Sequence, residues 1–61
     1  MPIITIKLVE GRTVEQKRQI AKNITETITE IANVKPEAVE IIFEEMKKEN
    51  FAKAGQLLID K

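Results

Sequence analysis

From Pro2 to Val9 the chain alternates with a period of two. Ile4, Ile6 and Leu8 share one face, and Ile3, Thr5, Lys7 and Val9 share the other. This is a strand pattern. Branched apolar residues on both faces predict that both are covered, one by the chain's own helix and the other by a neighbouring subunit. Glu10-Gly11-Arg12 interrupts the alternation, and Thr13-Val14-Glu15-Gln16 has the form of a capping box, with Thr at the N-cap and Gln three residues on. Val14, Lys17, Ala21, Ile24, Ile28 and Ile31 then recur at three- and four-residue steps, a stripe that predicts a helix facing a sheet. Glu15, Arg18, Lys22, Glu26 and Glu30 fall on the opposite side, where Lys22 and Glu26 are spaced to pair one turn apart. Asn33 suits a left-handed C-cap, and Pro36 forbids continuation.

A helix of about 19 residues is roughly 29 Å long, close to the roughly 26 Å of an eight-residue strand. The helix therefore returns the chain to the strand's starting end, and the next strand lies parallel to the first. That strand is expected over Val39 to Glu44, where Val39, Ile41 and Phe43 alternate with Glu40, Ile42 and Glu44. A right-handed crossover is the strong preference for such a unit. Lys47-Lys48-Glu49-Asn50 reads as a polar loop, Phe51 to Gly55 as a tight hairpin-like turn, and Gln56 to Lys61 as a short apolar tail. The expectation is a single α/β domain over residues 1–61, one β-α-β unit with a C-terminal hairpin or tail. No linker, low-complexity tract or internal repeat divides it.

Composition changes the picture in two ways. The chain has 61 residues, 43% of them apolar, yet a two-stranded sheet is too small to stand alone in water. Chains of this size are usually stabilised by disulfides, a metal or partner subunits. With no Cys and no His, the first two have no usual ligands here, and self-association is expected instead. Ten basic residues balance ten acidic ones, and no Trp or Tyr is present, so nothing predicts a nucleic-acid surface. No apolar run is long enough to span a membrane, and the start lacks a secretory pattern. A cytoplasmic location is expected.

Candidate chemistry must then come from carboxylates, lysines or the chain terminus. If Met1 is removed, as a small second residue normally permits, Pro2 becomes a free secondary amine. An α-amino group titrates near about 7.7–8.0, nearer neutrality than a lysine. Burial and a nearby cation both disfavour its ammonium form, which brings it closer to the pH where a general base is most efficient. The plain alternative is that Pro2 only begins a strand, where its missing N–H does no harm. Arg12 sits just before the N-cap, where a cation is mildly unfavourable. It reads either as a solvated turn residue or as a clamp for a carboxylate.

Pro2 opening a strand, the run Leu8-Val9-Glu10-Gly11-Arg12-Thr13-Val14-Glu15-Gln16-Lys17, the pairs Glu45-Met46 and Asn50-Phe51, and the turn Ala52-Lys53-Ala54-Gly55 together resemble the 4-oxalocrotonate tautomerase family. The likeness spans essentially the whole chain. It implies a tautomerase-like β-α-β subunit assembled as a homohexamer, a trimer of dimers. It also implies an isomerase that interconverts enol and keto forms of 2-oxo acids, on substrates such as 2-hydroxymuconate or monoacid dienols, without cofactor or metal. By position, the resemblance puts the general base on Pro2. It puts the substrate-carboxylate arginine, supplied by an adjacent subunit, on Arg12, and the aromatic wall of an apolar pocket on Phe51. Such a wall excludes water and strengthens the electrostatics inside.

The chain also departs from the family's pattern. Well-known members have a second arginine early in the second strand, and the matching residue here is Glu40. Glu40 is either a solvated strand residue or a pocket residue that repels dianionic substrates. Ala52 and Ala54 stand where several relatives carry Gly. Two further readings stand beside this one: a subunit of a heterohexameric tautomerase whose unlike partner supplies the missing arginine, and a non-catalytic oligomerising homologue in which Met1 is retained and Pro2 has no chemical role.

Overall fold

Thr13 marks the point at which strand gives way to helix. In a computed structural model describing residues 1–61, its backbone is extended and its hydroxyl accepts from the Gln16 amide at 3.0 Å. The Gln16 side chain accepts in return from the Thr13 amide at 2.9 Å, closing the capping box. The helix α1 (Val14–Ala32) ends at Asn33, whose φ of 57° and ψ of 50° form the expected left-handed cap. Before it lies β1 (Ile3–Val9) and after it β2 (Glu40–Met46), joined through a short 3-10 turn at Pro36–Ala38. β1 and β2 pair in parallel from Ile3 opposite Glu40 to Val9 opposite Met46. The ladder runs slightly beyond both ends, with the Glu40 amide donating to the Pro2 carbonyl at 3.0 Å and the Glu10 amide to the Met46 carbonyl at 2.8 Å.

The second strand differs from its expected bounds. It begins one residue after Val39 and continues two beyond Glu44. Glu45 and Met46 carry little strand signal by themselves, but Leu8 and Val9 are still extended beside them and offer ladder partners. β1 begins at Ile3, and Pro2 stands just outside it.

The two faces of the sheet are unlike. Ile4, Ile6, Leu8, Ile41 and Phe43 are half-buried, whereas Ile3, Thr5, Lys7, Glu40, Ile42 and Glu44 are exposed. Lys17 of α1 forms an ion pair with Glu45, which shares a face with Ile41 and Phe43, so the helix lies over the half-buried face. This revises the place of Lys17 in the apolar stripe: its stem lies toward the sheet while its ammonium meets a carboxylate. Ile20 joins the half-buried set, whereas Val14 and Ile31, at the two ends of the stripe, stay exposed because the sheet is narrower and shorter than the helix. Lys22 and Glu26 do not pair; the ion pair on the outer side is Arg18 with Glu15 at 3.1 Å.

Past β2 a 3-10 turn at Lys48–Asn50 leads to a small antiparallel hairpin of β3 (Ala52–Lys53) and β4 (Gln56–Leu57), followed by a last turn at Leu58–Asp60. Ala54 and Gly55 form its tip, both with positive φ (53° and 82°), as a tight two-residue hairpin loop requires.

No residue of the chain is buried. The Cα radius of gyration is 14.7 Å, against about 10.5 Å for a compact domain of this length. The body measures 43 × 23 × 13 Å, a thin helix-on-sheet slab with a projecting hairpin. Ile3 at 59% and Ile42 at 50% exposure leave the outer sheet face apolar at its middle and near the Pro2 end.

Candidate active site

The residues singled out from the sequence separate into two groups at opposite ends of the sheet. Pro2 and Glu40 are at one end. Pro2 is half-buried, and its carbonyl is held by the Glu40 amide at 3.0 Å. Its ring nitrogen has no hydrogen to contribute to the ladder, so removal of Met1 would free an amine without breaking any sheet hydrogen bond. Met1 itself is 85% exposed and leaves its side of the Met1–Pro2 bond open to solvent. Glu40 pairs in register with Ile3 and shares its outward face.

Arg12 and Phe51 are at the other end. Arg12 follows the last residues of β1 and precedes the Thr13 cap; it is exposed and makes no ion pair within the chain. Gly11 before it has a φ of 125°, a backbone state that L side chains rarely adopt, and this lets the chain turn from strand to helix in so few residues. Phe51 follows the turn after β2, and its carbonyl accepts from the Leu58 amide at 2.8 Å, which folds the terminal segment back on it. Its side chain is partly exposed, at 39%.

Between the two groups lies the whole of β1. Seven strand residues separate Pro2 from the Glu10-Gly11-Arg12 turn, a span of roughly 23 Å at about 3.3 Å per residue. That is far beyond the reach of an arginine side chain. Within one chain the structure does not bring Pro2 and Arg12 together, and the single chain encloses no pocket. No three acidic side chains gather at metal-binding spacing either.

The Lys17–Glu45 ion pair also belongs to this region. Its signal was present in the sequence as a lone charged residue inside an apolar helical stripe, which calls for a partner on the facing element. The partner is at the end of β2, beside the Arg12 turn.

Comparison with known proteins agrees with the architecture. The model of the tautomerase enzyme family matches residues 2–61. The 2-hydroxymuconate tautomerase of Bacillus subtilis is 42% identical over 60 residues, covering 98% of this chain and 97% of that protein. A probable tautomerase of Halalkalibacterium halodurans is 40% identical over 60 residues, covering 98% of each. Among solved structures, a 4-oxalocrotonate tautomerase isozyme from Methylibium petroleiphilum superposes with a TM-score of 0.91 at 44% identity, covering 97% of this chain and 92% of that one. With matching fold, length and sequence, the chain belongs to the tautomerase family and is an enzyme of the isomerase class.

Proposed function

We propose that the chain is a cofactor-independent tautomerase of 2-oxo acids in which the amine of Pro2, freed by loss of Met1, is both base and acid. The observation that carries this reading is the setting of Pro2: half-buried, fixed through its carbonyl to Glu40, and with a nitrogen that owes nothing to the sheet. In the reaction the amine takes the enol O–H proton. The O–H electron pair becomes the carbonyl bond, and the C=C pair accepts the proton from the same nitrogen at carbon. Atoms and electrons balance without an oxidant or a second reagent. A single group acting in both directions contributes on the order of 10²–10⁴-fold.

Arg12 supplies the charge that holds a substrate carboxylate, in a bidentate grip where the geometry allows. Because roughly 23 Å of strand separates it from Pro2 of the same chain, the arginine that serves a given Pro2 comes from another copy. Phe51 walls the pocket between copies and excludes water. The outer sheet face, with Ile3 and Ile42 exposed, and the absence of any buried residue support an assembly, which we take to be a homohexamer built from dimers. The substrate is an enol such as 2-hydroxymuconate or a monoacid dienol. Glu40, at the Pro2 end of the sheet, favours the monoacid.

The test is the state of the N-terminus. Protein processed to Pro2 should ketonise phenylenolpyruvate-type enols, and the same chain retaining Met1, whose Pro2 nitrogen is an amide, should lose that activity. Equal rates from the two forms would remove Pro2 from the mechanism. Glu40 in place of an arginine also favours a second reading, a subunit of a heterohexamer. A native mass of the protein from its source showing only this chain would rule that out.

A further inference from the structure

The turn that carries Arg12 is fastened at both ends to one spot on β2. At its start the Glu10 amide donates to the Met46 carbonyl at 2.8 Å. At its finish the Lys17 ammonium pairs with the carboxylate of Glu45, the neighbour of Met46. Between them the Lys17 amide donates to the Thr13 carbonyl at 3.1 Å, and Thr13 and Gln16 cap each other. Residues 10–17 thus form a closed loop, with Arg12 exposed near its tip and unpaired within the chain.

One of these two fastenings is backbone and insensitive to side-chain identity. The other is a charged contact at a position where the helix stripe is otherwise apolar. Apolar packing is non-directional, and Val14, the other stripe residue of the first helical turn, is 60% exposed and gives that turn little apolar hold on the sheet. An ion pair with a hydrogen bond has a preferred direction; with the Lys17 side chain 23% and the Glu45 side chain 37% exposed, this one is partly screened by water, and its contribution is to direction more than to stability.

We infer that Lys17 and Glu45 are positioning residues for Arg12: their ion pair locks the start of α1 to the end of β2 and so sets where the guanidinium projects. This rests on the reading of Arg12 as the carboxylate-binding residue. It assigns to the pair a role in substrate affinity beyond holding helix to sheet. A misplacement of about 1 Å by a residue away from the chemistry can cost as much as about 10²-fold in rate.

The experiment measures KM and kcat for a carboxylate-bearing enol, together with the thermal midpoint, for Glu45→Gln, Arg12→Ala and the double variant. Glu45→Gln keeps the side-chain shape and removes the charge. It is expected to reproduce in smaller measure the split between KM and kcat that Arg12→Ala shows, with a loss in kcat/KM on the order of tenfold. In the Arg12→Ala background it should add nothing, because the group it positions is gone. Exchanging the charges, Lys17→Glu with Glu45→Lys, should recover most of the loss. If Glu45→Gln lowers the thermal midpoint while leaving KM and kcat alone, or if its effect is the same with and without Arg12, the pair is structural only and the inference fails. Arg12→Ala leaving kcat/KM unchanged is a separate result, which overturns the reading of Arg12 itself and the inference with it.

Discussion

The Glu40 amide donates to the Pro2 carbonyl at 3.0 Å, so the first residue of β2 is tied to the residue whose nitrogen is the proposed base. The contact is between backbones and would persist whatever side chain stood at position 40. What the side chain changes is charge. Glu40 points to the outer face beside Ile3, where in an assembly it would meet a neighbouring copy or the substrate. A second carboxylate brought there meets like charge with less water to screen it.

Glu40→Arg is therefore expected to shift the ratio of kcat/KM for a diacid enol over its matched monoacid by about tenfold or more toward the diacid, since a repulsion is replaced by an attraction. Steady-state kinetics on the two substrates with both proteins measures the ratio. No change in it would mean that Glu40 faces solvent in the assembly and plays no part in selectivity.

The exposed outer face carries the second prediction. Ile42 lies near the centre of that face at 50% exposure, beside Thr5. Ile42→Asp should prevent association, because an unpaired carboxylate resists burial between subunits. Because the chain buries no residue by itself, the variant should also lose its fold at low concentration. Sedimentation and circular dichroism at micromolar concentration read both effects. A folded, stable monomer in the unaltered protein would contradict the assembly directly.

The hairpin tip supplies a third. Ala54 holds a φ of 53°, and Gly55 follows at 82°. Asn-Gly is the preferred pair for such a turn, and Asn tolerates the left-handed region better than Ala. Ala54→Asn is expected to stabilise by up to about 1 kcal/mol and Gly55→Ala to destabilise by about 1 kcal/mol or more. Thermal midpoints of the two variants, compared at equal protein concentration, check the signs.

The parts of the fold legible in the sequence were those encoded locally. Thr13 with Gln16 and Asn33 with Pro36 delimit α1 because caps are made by the residues that carry them. The end of β2 was not legible, since Glu45 and Met46 are strand only by virtue of Leu8 and Val9 beside them. The place of Lys17 was hidden for the same reason: its partner Glu45 is 28 residues away and belongs to another element. Val14 and Ile31 looked like core by spacing, but the sheet beneath them is too small to cover both ends of a 19-residue helix. Of the candidate site, the pairing of Lys17 with Glu45 beside the Arg12 turn was not legible, because it joins two elements distant in sequence. The residue types and the separation of Pro2 from Arg12 both were: the two are ten positions apart, and the alternating strand pattern between them already spans more than about 20 Å, at roughly 3.3 Å per residue.

That separation allows the most direct test of the central claim, that each site takes its Pro2 and its Arg12 from different copies. Pro2→Ala and Arg12→Ala subunits, each expected to be well below native activity alone, are unfolded together, refolded as a mixture and assayed. If the site is shared between copies, mixed assemblies contain some sites in which both native residues meet, and random mixing should restore roughly a quarter of the native activity. If one chain supplied both residues, no mixed assembly would hold an intact site, and a mixture no more active than its two components would contradict the account.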